Sequence, residues 1–341
     1  MNHFAPHPRS VFEGWYSKFT LPSGASIALV ICTVPDAPTR PHMVSFTYVP
    51  QDVSRIYQKE LWVESIERVE LQDGAFELSV PGVGYMRCDA DSTTTYELVT
   101  PEFELRGTCR GNGNRIPWSA SQSTPEGLLV YLPLPLHWHV HSLGSLVDFN
   151  LSLPTRPELL FDADKRGTAL LHQEKNWANS FPNAHIWIQA RKEASGFCCA
   201  GGQILGMEAY LIGYRAANNA HSLDFKPPLA LRMLGFSPFM TVDVDWETRE
   251  VRLSVQGFWQ KLVLRARAPK GTFFPLSSPF PEGHRENFLG QSFQATLEIE
   301  VWKRRGWLGG WGLVHTERFE GASLEFGGAY YGSAGTDKKR N

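Results

Sequence analysis

The chain has 341 residues, enough for two domains or one large β architecture, and 42% of them are hydrophobic, which is ample for a sizeable core. Its formal net charge of -2 argues against a protein built to grip nucleic acid, which would carry a strong basic bias. The five cysteines are odd in number and form no C-x-x-C pair, so a structural zinc site has little support and reduced thiols in a cytoplasmic protein are expected.

Residues 1–10 are polar and proline-bearing and lack the apolar core of a signal peptide. No stretch reaches the ~20 uninterrupted apolar residues of a membrane helix. A lipid would therefore be handled from solution or through transient contact with a membrane surface. Phe12-Glu13-Gly14-Trp15-Tyr16 opens the first strand, and residues 27–34 form a continuous apolar run that suits a strand buried on both faces. Residues 53–70 are the best helical candidate, although alternation competes there. Gln72-Asp73-Gly74 is a turn signal. Phe76-Glu77-Leu78-Ser79-Val80 and Phe103-Glu104-Leu105 alternate with the period of a half-buried antiparallel strand. Gly111-Asn112-Gly113-Asn114 marks another turn.

Prolines and aspartates between 151 and 168 mark a loop and an expected lobe boundary, giving 1–155 and 156–341. Ala217-Asn218-Asn219 and Trp246-Glu247-Thr248-Arg249 are further turns, the latter between the alternating strands 242–246 and 251–255. Proline-rich 273–283 reads as a surface loop or lid. Leu297-Glu298-Ile299-Glu300-Val301 alternates again. Gly309-Gly310 and Gly327-Gly328 sit in a β context, where glycine marks a bulge or tight turn. The basic run Lys338-Lys339-Arg340 reads as a frayed tail. Many short strands with regular turns define an all-β protein, a sandwich or barrel.

Three constellations could carry chemistry. Glu13 beside Trp15 and Tyr16 could be desolvated, which raises a carboxyl pKa and makes an acid near neutral pH. The alternative is a core strand whose Glu bonds to backbone. His137-Trp138-His139-Val140-His141 places three imidazoles on one strand face, ~6.5–7 Å apart. They could hold a metal, line a pocket as acid/base groups, or be structural. No complete ligand set is visible, so neither metal nor another cofactor is expected. In His172-Gln173-Glu174-Lys175-Asn176-Trp177, Glu174 and Lys175 point to opposite faces. Trp187 and Gln189 share a face and suit a cavity wall that holds a flat, oxygen-bearing ligand. A loop stapled by aromatic packing is the alternative. No G-x-S-x-G elbow or phosphate-binding loop is present.

Taken together, these motifs resemble the tocopherol cyclase family. Phe12 to Tyr16 is similar to its opening F-E-G-W-Y. Glu174-Lys175-Asn176-Trp177, with Phe181-Pro182 and Trp187-Ile188-Gln189 after it, is similar to its E-K-N-W block. His137-Trp138 resembles the preceding P-H-W-Q, and Leu324-Glu325-Phe326-Gly327-Gly328 a late V-E-I-G-G. The resemblance implies two lipocalin-like β-lobes enclosing an apolar pocket, and closure of a chromanol ring without a redox cofactor. His139 stands where the family has Gln, and Ala178-Asn179-Ser180 replaces a run of glycines. A different prenylated or polyene substrate is therefore expected.

The resulting expectation is a cofactor-independent cyclase for a hydrophobic small molecule. Glu13 or Glu174 is the acid, and His137 and His139 hold the nucleophilic oxygen. Trp15, Tyr16, Trp138, Lys175, Asn176, Trp177, Trp187 and Gln189 bind substrate. A pericyclase of the hetero-Diels–Alder type and a non-catalytic isoprenoid carrier are the alternatives. Composition does not give the oligomeric state.

Overall fold

The computed structural model describes residues 3–111, 115–118, 124–134, 136–179, 181–204, 206–306 and 309–332. Residues 112–114 of the expected Gly111–Asn114 turn and the Lys338-Lys339-Arg340 tail lie outside them. The first eleven strands are β1 (Phe12–Thr20), β2 (Ser26–Thr33), β3 (His42–Val49), β4 (Tyr57–Trp62), β5 (Glu67–Glu70), β6 (Phe76–Val80), β7 (Gly84–Cys88), β8 (Thr94–Val99), β9 (Glu104–Cys109), β10 (Leu136–Ser152) and β11 (Arg166–Ala178). They form one sheet in the order β4-β3-β2-β1-β11-β10-β9-β8-β7-β6-β5. The next eleven are β12 (Ala184–Lys192), β13 (Ser195–Ile204), β14 (Met207–Arg215), β15 (Leu223–Phe225), β16 (Leu231–Met233), β17 (Met240–Asp245), β18 (Glu250–Gln256), β19 (Gln260–Arg267), β20 (Phe274–Phe280), β21 (Gly283–Arg304) and β22 (Trp311–Gly328). They form a second antiparallel sheet, ordered β15-β14-β13-β12-β22-β21-β19-β18-β17, with β16 on β14 and β20 on β21.

Each sheet curls over its own core. The first core gathers Phe19, Phe46, Phe76, Leu105 and Leu171; the second gathers Ile188, Phe197, Leu253, Leu264 and Phe319. Outer strands such as β6 alternate buried and half-buried residues, as their sequence predicts. Strands β1, β2 and β3 do not. All eight residues of β1 before Thr20 are buried or half-buried, because its second face is covered by the other sheet. This explains the continuous apolar run of β2.

Three expectations are corrected. The break between sheets falls between Ala178 and Ala184, not after residue 155, because β11 pairs with both β1 and β10 and completes the first sheet. The proline-rich 151–168 segment is a connection within that sheet. Residues 53–70 hold one short 3-10 turn and strands β4 and β5, so alternation outweighs helical spacing there. Residues 273–283 are neither loop nor lid. They contain β20, buried along its whole length and clamped against β4: Gln58 Nε2 donates to Pro275 O at 2.7 Å, and the Glu60 carboxylate accepts from Ser277 N at 3.0 Å and Ser277 Oγ at 2.8 Å. The expected turns at 72–74 and 246–249 are present. All five cysteines are buried and free. Among the described residues, no helix is long and apolar enough to cross a membrane.

A buried lysine pins the sheets together. Lys18 of β1 donates from Nζ to Ser323 Oγ at 2.7 Å and Gln189 Oε1 at 3.2 Å, and lies 4.7 Å from the Phe293 ring centroid. Burial pulls its pKa down to about 7. Between that value and the ordinary lysine value the unfolded chain binds the extra proton, so native stability rises with pH across this window. Below it the penalty is complete, of order 4–5 kcal/mol before the hydrogen bonds offset it. Lys18→Met should therefore be more stable than the parent at pH 6, with the gain shrinking as pH rises toward 10. Denaturant titrations at several pH values check this; a gain independent of pH would refute the buried-charge account.

Candidate active site

Strand alternation divides the residues singled out by the sequence into two groups. In the β1–β11 register, Glu13 lies opposite Trp177, Trp15 opposite Lys175 and Tyr16 opposite Glu174. In the β10–β11 register, His137 lies opposite Trp177 and His139 opposite Lys175. Glu13, Trp15, Lys175, Trp177, His137 and His139 thus share the face turned into the first lobe. Tyr16, Trp138, Glu174 and Asn176 share the face turned toward the second sheet.

The first group is closed off by the N-terminal segment. Phe4 is fully buried there, and its carbonyl accepts from Trp15 Nε1 at 2.8 Å. The Glu13 carboxylate accepts from His7 N and lies 3.5 Å from Lys175 Nζ and 3.7 Å from an Arg68 nitrogen. Burial pushes the Glu13 carboxyl up, against the opposing pull of Lys175 and Arg68. Lys175 Nζ is held by Ala5 O and, at 2.7 Å, by His7 Nδ1, and burial pulls it down to about 7. Trp177 is sandwiched between His7 at 4.0 Å and His137 at 5.1 Å, and His137 is bound by Glu126 at 2.8 Å. Burial, reinforced by nearby cations and imidazoles, depresses His7 and His139 to about 3. His141 stacks on Phe4 at 4.1 Å. These groups form a packed, desolvated interior; Trp15 and Lys175 border the cleft described next, but their polar atoms are engaged on the opposite face.

The second group opens onto a cleft between the sheets with about 150 Å³ of free volume. Its walls include Tyr16, Trp138, Asn176, Phe181, Trp187 and Leu289. Two carboxylates reach it. Glu174 Oε2 accepts from Trp187 Nε1 at 3.0 Å, is 3.0 Å from His172 Nε2, and is approached by Cys198 Sγ at 3.9 Å. These partners come from β11, β12 and β13, so both sheets build this contact. Glu325 Oε1 pairs with His185 Nε2 at 2.9 Å, and its Oε2 accepts from Gln291 Nε2 at 2.9 Å. That bond orients the Gln291 amide, whose Oε1 accepts from the Tyr16 hydroxyl at 3.3 Å. Burial, then the Glu174 and Glu325 charges, push the Tyr16 phenol well above its ordinary value. The same causes, burial first and then Glu174, raise the Cys198 thiol. Tyr16 meets Trp187 edge-on at 5.2 Å. Gln189 stands outside the cleft lining and serves the Lys18 pin instead.

A Cβ at Gly14 would lie 2.8 Å from Asn176 Oδ1, so a larger residue there would have to push the Asn176 amide aside. The His137, His139 and His141 strand does not form a metal-like cluster. Among the described residues that spacing occurs at His172, Glu174 and Cys198, whose ligand atoms lie within 4.8 Å of one another. All three are already joined by the contacts to Glu174 Oε2.

Sequence reasoning passed over His172, His185, Gln291 and Glu325 as site residues. Glu325 and its partner had a signal, since Glu325 precedes Gly327-Gly328 in the last motif. Gly327 lies opposite His185 in the sheet, and a Cβ on it would fall 1.8 Å from His185 Cε1. The glycine thus makes room for the imidazole on Glu325. Gly327→Ala should displace His185 and break the pair while the sheet persists. The check is the His185 imidazole nuclear magnetic resonance signal: unchanged shifts and pH response in the variant would contradict the close approach.

No family model and no curated protein matches the sequence. Among solved structures the chain is similar to CghA in a crystal structure with Sch210972, with a TM-score of 0.53 at 13% identity, covering 93% of this chain and 88% of that one. A second crystal structure of CghA gives a TM-score of 0.52 at 13% identity, covering 94% and 92%. At this identity the likeness is one of fold, and it spans both sheets of the all-β architecture.

Proposed function

We propose that the cleft between the sheets is the active site of a cofactor-independent cyclase acting on a hydrophobic, oxygen-bearing small molecule. The observation that carries this reading is the convergence on Glu174 Oε2 of Trp187, His172 and Cys198 from both sheets, at the wall of an aromatic-lined cleft. A carboxylate built this way is pre-positioned, and only its other oxygen is left to meet a substrate. The resemblance to tocopherol cyclases suggests the finer reaction: closure of an oxygen heterocycle on a prenylated phenol or a related terpenoid or polyketide-derived substrate.

In the acid-assisted form, the Glu174–His172 pair delivers a proton to the alkene. The phenol oxygen attacks the resulting tertiary cation, a C–O bond forms, and the phenolic O–H proton is returned to the pair. The product is an isomer of the substrate and no electrons are exchanged. Trp187, Trp138 and Tyr16 offer ring faces that attract the transient cation. The cleft folds the chain so that oxygen and alkene meet. Glu13, His137, His139, Lys175, Trp15 and Trp177 brace the strand layer from behind, which replaces the direct roles the sequence suggested for them.

One observation favours a second reading. Tyr16 is a phenol kept protonated and held by a Gln291 amide whose orientation Glu325 fixes. Such a fixed neutral group suits a pericyclic closure, which needs shape and a hydrogen bond rather than proton transfer to carbon.

Single-turnover reaction of a prenylated hydroquinone in heavy water separates the readings. Deuterium on ring carbon supports the acid route. For the pericyclic route the substrate is instead one that already carries a conjugated heterodiene and an alkene; its cyclisation without carbon deuterium supports that route. Binding without product would leave a carrier and overturn the enzyme assignment. Glu174→Gln should lower the rate by ~10²–10⁴-fold with an unchanged circular dichroism spectrum. Glu13→Gln should instead lose stability and activity together, by about 3–5 kcal/mol, because it breaks a buried ion pair. Full activity in Glu174→Gln would sink the acid mechanism.

A further inference from the structure

Two adjacent turns of the second sheet carry apolar side chains into solvent. Leu234 is 96% and Phe236 72% exposed on the turn after β16, with Met233 beside them. Phe258 is 64% exposed on the turn between β18 and β19, next to Trp259. The turns touch: the Phe239 and Phe258 rings meet edge-on at 6.4 Å, and Gln256 N donates to Phe239 O at 2.8 Å. Single exposed apolar residues are ordinary, but a cluster of this kind marks an interaction surface. Leu234 also adopts a φ of 50°, a left-handed conformation unfavourable for a bulky residue, and this sets its side chain at the tip of the turn.

Within these turns and the segment beside them the charge is one-sided. Residues 231–239, 257–261 and 303–311 contain Arg232, Lys261, Lys303, Arg304 and Arg305 and no Asp or Glu. Lys303 lies opposite Gln260 in the sheet, and Arg304 N donates to Trp259 O at 3.0 Å, so these cations flank the aromatic turn. Arg232 is engaged by Glu208 at 3.1 Å, whereas Lys303 and Arg305 are exposed. The patch is also joined through the sheet to the strand that lines the cleft. Met233 pairs with Met207, which pairs with Ile204 on β13, the strand that brings Gly201 to the cleft.

We propose that this corner docks the protein on the surface of an anionic phospholipid bilayer, with Leu234, Phe236 and Phe258 entering the headgroup layer and Lys303, Arg304 and Arg305 facing its charge. Apolar tips ringed by cations, with no carboxylate in the same turns, match a surface that is greasy beneath and negative above. The proposal stands independently of the reaction in the cleft.

Sedimentation of the full chain with lipid vesicles tests it. The protein should bind vesicles containing phosphatidylserine, bind pure phosphatidylcholine much less, and lose binding as salt rises. A triple variant, Leu234→Ser with Phe236→Ser and Phe258→Ser, should partition about tenfold or more weakly with an unchanged circular dichroism spectrum. Lys303→Glu with Arg305→Glu should erase the preference for phosphatidylserine. No binding to either vesicle, or equal binding by parent and triple variant, would overturn the proposal. So would a parent dimer in light scattering that the triple variant abolishes, since the patch would then belong to a second copy of the chain.

Discussion

The molecule depends on a single layer of backbone, the β10–β11–β1 portion of the first sheet, being covered on both faces. One face closes the first lobe and the other builds the cleft against the second sheet. A layer covered twice must be apolar or must satisfy its polar groups locally. For its two carboxylates this layer does the latter, one on each side. Glu13 is matched by Lys175, Arg68 and the His7 backbone; Glu174 is matched by Trp187 and His172. The two carboxylates lie on opposite faces of the same strand layer, so they serve different environments.

The polar groups differ in how completely they are enclosed. The Glu13 side is filled by the protein's own N-terminal residues, and a buried ion pair there helps to fix how the segment seats. The cleft side keeps free volume, and its two carboxylates each bind a histidine. An enclosed charge network stiffens a lobe. A partly open one can accept a substrate atom without dismantling its own contacts. This contrast, more than residue type, separates support from site here.

Much of this was legible in the sequence. Alternation at 76–80 and 297–301 gave true strands, and the apolar run at 27–34 gave a strand covered on both faces. Aromatic Trp187 and the carboxylate Glu174 do reach one cleft. The lobe boundary was not legible, because a proline-rich loop marks a turn but does not say which sheet the next strand joins. The 273–283 segment misled for a related reason: among the described residues β20 pairs with β21 alone, and a strand at the edge of a sheet tolerates Pro275 and Pro279. The faces of Glu13 and His137 relative to Glu174 depend on the register of three strands distant in sequence, which no local pattern encodes. The Gln291–Glu325–His185 chain likewise exists only once β12, β21 and β22 are side by side.

The pairing of β1 with β11 has a consequence for biosynthesis. Phe12 finds its partner only when Ala178 has been made. At ~5–20 residues per second, the first strand emerges from the ribosome on the order of ten seconds or more before the strand that closes its free edge. During that interval β1 can pair with β2, while its other edge stays open to any extended chain. The nascent first lobe is therefore most exposed to misassembly just before β11 appears, and long-range closure of this kind makes its folding intrinsically slow.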